Sequence, residues 1–174
     1  MSSIRNGVLG LTLAALFPLA SLAETGVTFT GNLTIPLCTL NNNTPLTVPF
    51  GDIEIQTLTA ANTAFSVKEF IVPMNCPYTT GTPSITVNSS TVHNATQGVL
   101  QTSKYSEGLV IYLLKKDGST ALPIGTASDI SQSMTGTGTS RTLTLNAGVG
   151  RTGELDKLTA GTFTASATMQ VKYQ

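Results

Sequence analysis

Two cysteines, one histidine and two pairs of closely spaced carboxylates are the residues of this chain best suited to chemistry. Cys38 and Cys76 could form a disulfide, act as redox thiols or ligate a metal. Two cysteines do not complete a structural zinc tetrahedron, and one histidine does not build a His-rich metal site. There is no C-x-x-C, and the lone His93 lies in a Ser/Thr/Asn-rich stretch that reads as a loop. A solvated surface histidine is the plain interpretation, because no Gly-x-Ser-x-Gly elbow supplies a nucleophile for it to activate. Asp52 with Glu54, and Glu154 with Asp156, stand two residues apart. They would share a strand face, where solvated charge is the ordinary role. Nothing resembles a calcium loop or a phosphate cradle. The expectation is a protein that is not an enzyme and carries no metal and no cofactor.

The elements that position these residues follow from composition. The chain has 174 residues, with 9 Lys plus Arg against 9 Asp plus Glu and only 10% charged positions. That length suits one domain of ordinary size. A sparse, balanced charge argues against nucleic acid, since binding phosphates needs a basic surplus. Forty per cent hydrophobic content supports a core and excludes bulk disorder. Much of the polar remainder is Thr, Ser, Asn and Gly, types that favour strands and turns.

Residues 1–23 read as an export signal. Arg5 gives the positive start, Val8 to Leu19 the apolar run, and Ser21 and Ala23 the small residues before a cut at Glu24. A membrane anchor fits poorly, because the run falls short of the roughly 20 residues a bilayer needs and Pro18 interrupts it. Removing Arg5 with the leader leaves 8 basic against 9 acidic residues, a formal charge of −1. In an oxidising compartment Cys38 and Cys76, the only two cysteines, are expected to pair as a disulfide.

Past the leader, period-2 alternation replaces helical periodicity. Leu46, Val48 and Phe50 alternate with Thr47 and Pro49; Phe65 and Val67 open a strand running to Cys76; Ile85 and Val87 mark a short one. Leu109–Leu114 is apolar on both parities, as a strand covered on both faces would be. Asp117-Gly118 signals a hairpin. Thr135–Thr139 and Asn146-Ala147-Gly148 read as breaks around Leu143 and Leu145. Several short strands with frequent turns predict an all-β sandwich.

The two ends carry the clearest patterns. After Gly161, Phe163, Ala165, Ala167, Met169, Val171 and Tyr173 share one parity, predicting a single strand over Thr162–Tyr173 with one apolar face. Val27, Phe29, Gly31 and Leu33 alternate in the same way at the start of the exported chain. An amphipathic strand at a free end can pair within its own sheet or with a neighbour's sheet edge, and composition does not choose between them.

The stretches Phe29–Leu40, Val48–Ile53 and Asn75–Tyr78, together with Gly161 through Tyr173-Gln174, resemble the structural pilins of the chaperone–usher pathway. The similarity is strongest to the minor tip subunits of P-type pili. In that family a glycine lies fourteen residues from the C-terminus and an aromatic residue is penultimate; Gly161 and Tyr173 match. The resemblance implies an incomplete immunoglobulin-like β-sandwich lacking its last strand, with an N-terminal donor-strand extension at 24–34 and a pilin domain at 35–174. Val27, Phe29, Gly31 and Leu33 would form the donor face. Phe163, Ala165, Ala167, Met169 and Val171 would line part of the acceptor groove. Tyr173 and the Gln174 carboxylate would belong to a chaperone-binding end. The implied partners are a periplasmic pilus chaperone, an outer-membrane usher and neighbouring pilin subunits. The implied destination is a fimbrium on the cell surface, reached through the periplasm.

A second class of function is a small receptor-binding adhesin, which would meet a host receptor at the pilus tip through loops such as Thr79–Pro83. Against it, the chain has room for a pilin domain only and begins with a donor-like strand.

Overall fold

The computed structural model describes residues 25–174; the expected leader at 1–23 lies outside the described residues. The chain divides into residues up to Leu33 and a body of Thr34–Gln174. Residues 25–33 form no strand or helix. Phe29 and Leu33 are 90% and 101% exposed, and Val27 is exposed as well. The alternation of 27–33 therefore has no sheet of its own to serve.

The body contains ten strands: β1 (Thr39–Leu40), β2 (Ala64–Asn75), β3 (Pro83–Asn88), β4 (Val92–Asn94), β5 (Val99–Gln101), β6 (Leu109–Leu114), β7 (Ser128–Asp129), β8 (Met134–Thr135), β9 (Ser140–Arg151) and β10 (Thr168–Tyr173). The larger sheet has the order β1-β2-β9-β6-β5-β4, with β8 also on β9; the smaller is β10-β3-β7. Every named pairing is antiparallel.

The core lies between the sheets. Val72, Leu143, Leu145, Ile111 and Val149 of the larger sheet join Ile85, Val87, Val171 and Tyr173 of the smaller in one buried cluster. Full burial of each such aliphatic side chain stabilises by about 1.5–3 kcal/mol. β6 is covered on both faces as expected. Ile111 belongs to this core, while Val110, Tyr112 and Leu114 form a second cluster with Val99 on the other parity. Cys38 and Cys76 are disulfide-bonded. Cys38 also donates its N–H to the Val171 carbonyl at 2.8 Å, so one residue ties both sheets together.

Several sequence expectations give way. First, Asn146-Ala147-Gly148 is no break: β9 runs straight through it. A Cβ on Gly148 would come within 2.9 Å of Ala64 Cβ, and one on Gly150 within 2.6 Å of the Tyr112 ring. These glycines permit close packing inside a strand rather than a turn. Second, Leu46, Val48 and Phe50 lie in no strand. Pro45 and Pro49 remove ladder donors, and no neighbouring strand pairs with this segment. Third, the C-terminal strand is half its expected length: pairing with β3 starts at Thr168, and 161–167 is outside every sheet. His93, expected in a loop, lies in the three-residue strand β4. Asp117-Gly118 does turn the chain, with Lys115 N–H donating to Thr120 O at 2.8 Å. Only an isolated Leu114–Ala121 bridge follows it, so no full second strand forms.

Candidate functional site

Two largely irregular segments flank a groove of about 1700 Å³. One lip is the irregular chain from Leu37 to Gln56; the other is Thr159 to Gln170. Between them the floor is core: Val72, Leu145, Ile111, Leu113 and Val149 all line it. The first lip is anchored at both ends. Cys38 holds one through its disulfide. At the other, the buried Arg151 guanidinium donates to the carbonyls of Leu58 at 2.7 Å and Thr59 at 3.0 Å. Midway, Lys68 Nζ donates to the Pro49 carbonyl at 2.9 Å.

Among the described residues, the hydrogen bonds to 163–167 of the second lip come from its outer side. Ser103 N–H donates to the Thr164 carbonyl at 2.8 Å, Thr164 N–H to Ser103 Oγ at 3.1 Å, and Ser89 Oγ to the Ser166 carbonyl at 2.9 Å. In extended chain successive residues direct their backbone groups to opposite sides. The even residues thus point outward, continuing into β10, where Gln174 N–H donates to Thr82 O. The odd ones point to the groove, as the Val171 carbonyl does in accepting from Cys38. The N–H and C=O groups of Phe163, Ala165 and Ala167 have no hydrogen-bond partner among the described residues. They form an open backbone edge that continues the line of β10, able to accept one more strand.

At the head of this lip Gly161 has φ +140°, a conformation that excludes side chains more than space does. Lys104 Nζ bonds Glu107 Oε2 at 2.8 Å and the Thr159 carbonyl at 2.7 Å, fastening the segment just before Gly161. The Lys104 ammonium and the Thr159 N–H together hold the Glu107 carboxyl below its ordinary pKa. The site residues expected in the lip then fall into a gradient. Ala165 and Ala167 are exposed, Phe163 and Met169 half-buried, and Val171 and Tyr173 buried. The Tyr173 ring is thus committed to the core. Gln174 is tied by its backbone to Thr82 in both directions, at 2.9 and 3.0 Å.

The structure brings the expected donor residues to no partner. A Cβ on Gly31 would meet nothing within 4 Å, and its φ needs no glycine; nothing in the chain's own fold explains why this position lacks a side chain. The other chemical candidates remain apart. His93 Nδ1 lies 2.9 Å from the Tyr105 hydroxyl, with no serine or carboxylate bonded to it. Asp52, Glu54, Glu154 and Asp156 are exposed. Among the described residues no three His, Cys, Asp or Glu side chains gather as a metal site would need. Sequence reasoning missed the Lys104–Glu107–Thr159 node, of which only the i,i+3 charge pair was visible, and the contact of Phe50 with Phe163.

The model of the fimbrial protein family matches residues 27–174. The chain belongs to that family. Fimbrial protein PrsE of Escherichia coli is 39% identical over 157 residues, covering 87% of this chain and 86% of the relative. The Escherichia coli fimbrial adapter PapF is 32% identical over 88% of this chain and 90% of its own length. A structure of PapF, the P pilus adaptor subunit, matches with a TM-score of 0.53 at 26% identity, covering 82% of this chain and all of that one. The P pilus rod subunit PapA shares the fold, with a TM-score of 0.61 at 19% identity over 79% of this chain and 99% of PapA. The all-β, immunoglobulin-like sandwich expected of a fimbrial subunit is therefore the fold of this chain.

Proposed function

We propose that this fimbrial subunit is a minor component of an adhesive pilus tip, joined to its neighbours by donor-strand exchange and without catalytic activity. Residues 1–23 direct export and are removed, 24–34 are the donor extension, and 35–174 are the acceptor body. A periplasmic chaperone first fills the groove; at the outer-membrane usher the extension of the next subunit replaces it, and the assembled fimbrium stands on the cell surface.

The observation that carries this reading is the unpaired backbone edge of Phe163, Ala165 and Ala167 above an apolar floor. An open groove over core is something a soluble monomer tolerates badly. Val27, Phe29 and Leu33 offer what the groove lacks. Burying the three is worth very roughly 5–9 kcal/mol before ordering costs. Gly31 would be the position where the donor backbone runs closest to the acceptor, and Ala165 and Ala167 leave volume for donor side chains. The adhesin alternative finds less support: within its candidate loop Thr79–Pro83, Thr82 is bonded to Gln174 and Pro83 starts β3.

Co-expression with periplasmic pilus chaperones tests the proposal. Recovery as a one-to-one complex is the expected outcome, and failure to associate with any such chaperone would count against it. Within that complex, Gly31→Leu should leave recovery unchanged and abolish incorporation into fibres. Pili of normal length and composition from that variant would remove Gly31 from the mechanism.

A further inference from the structure

The two lips of the groove meet through a pair of aromatic rings. Phe50, from the first lip, and Phe163, from the second, have ring centroids 6.2 Å apart and planes inclined by 41°. Both are half-buried against the core. Neither lies in a strand, so no ladder holds either in place. Each ring stands beside a glycine in the left-handed region: Gly51 with φ +72° follows Phe50, and Gly161 with φ +140° precedes Phe163 by two. A Cβ on Gly51 would meet nothing within 4 Å, and one on Gly161 only the Lys104 side chain, at 3.5 Å. Space does not require these glycines; backbone conformation does. The chain just before each ring is fixed from behind, by Lys68 on Pro49 and by Lys104 on Thr159. Each phenylalanine therefore sits close to a fixed point, with a conformationally permissive residue at its side.

We infer that Phe50 and Phe163 form a latch across the empty groove, which parts before a strand can lie between the lips. The inference rests on the strand-accepting function proposed above. A strand seated there would pair with its neighbours at 4.7–4.9 Å and take the space the two rings now share. While the groove is empty, the rings shield part of its apolar floor from water. An arriving strand brings apolar side chains of its own, so the floor stays covered after the rings separate. An aromatic pair of this kind is weak enough to open, shifting an equilibrium or rate roughly two- to tenfold. It would set how fast a groove is filled more than how tightly.

The test uses the full chain, exported and purified with its disulfide intact, mixed with a fluorescein-labelled peptide of the sequence Glu24–Thr34. Stopped-flow anisotropy reads the association rate. Phe50→Leu keeps apolar bulk and removes the ring contact, and should bind roughly two- to tenfold faster than wild type. Equal or slower association by the variant overturns the latch and leaves strand acceptance standing. Binding by neither protein overturns strand acceptance and the latch with it. Because Phe50→Leu can also loosen the fold, the wild-type chain gives an independent reading. With labelled phenylalanine, a nuclear Overhauser contact between the two rings should be present in the empty protein and lost on saturation with peptide. A contact that persists in the complex overturns the latch.

Discussion

Residues 161–167 and residues 168–173 carry the same alternating pattern and end in different physical states. In the second stretch Thr168–Tyr173 pairs with β3 along its whole length, and Val171 and Tyr173 are buried. In the first, the backbone of the odd residues has no partner and Ala165 and Ala167 are exposed. The difference is not in the side chains alone. Cys38 reaches β10 from the opposite lip and closes the sandwich there; six residues earlier no strand stands in the equivalent place. A period-2 pattern specifies which face of a strand is apolar, and leaves open whether the neighbour that covers it belongs to the same molecule.

That contrast can be broken most severely at the disulfide. Replacing Cys76 with Ser frees Cys38 and should destabilise the body by about 4 kcal/mol, the chain-entropy value for a loop of this length. Urea unfolding of the variant, compared with wild type whose Cys38–Cys76 disulfide is intact, measures it; a loss below about 1 kcal/mol would mean that the closed half does not depend on this tie. Next in size is a pair of truncations. Val171→Ala should cost about 2 kcal/mol or more in the isolated chain, since its side chain is fully buried. Phe163→Ala, half-buried at the open end, should cost about half as much or less under the same conditions. Adding donor peptide should widen the effect of Phe163→Ala and leave that of Val171→Ala nearly unchanged. Equal effects without peptide would erase the distinction between the halves.

The smallest effect lies away from both. Asp117 is held to a pKa of about 2 by hydrogen bonds from the Thr120 hydroxyl and from the N–H groups of Thr120 and Ser119. Its folded value is below the unfolded one, so the stabilisation is complete above about pH 4 and is lost as pH falls through about 2. Melting temperature against pH should therefore drop a little less steeply in that window for Asp117→Asn than for wild type. The halves of the C-terminal segment should respond alike, because the turn touches neither.

How much of this was legible in the residues depends on whether a feature is local. β2, β3 and β6 follow from alternation and from the doubly apolar run at 109–114. The disulfide followed from two cysteines in an exported chain. Gly148 misled because glycine in a turn and glycine packed against Ala64 look identical until the packing is known. The stretches 46–50 and 161–167 alternate like strands and fail to pair. That failure depends on what is absent beside them, which no local pattern records. The Phe50–Phe163 contact joins residues 113 positions apart, and neither ring is distinguished by its neighbours in sequence. Gly31 is the reverse case: its spacing within the alternation was plain, and its own fold gives it no reason.

Amide hydrogen exchange of the isolated body, read residue by residue with and without the Glu24–Thr34 peptide, tests the unpaired edge most directly. The amides of Phe163, Ala165 and Ala167 should exchange rapidly in the empty chain and become strongly protected with peptide, while those of β10 are protected in both. Slow exchange at these three positions before any peptide is added, or no change after it, would contradict an edge that waits for a strand from another molecule.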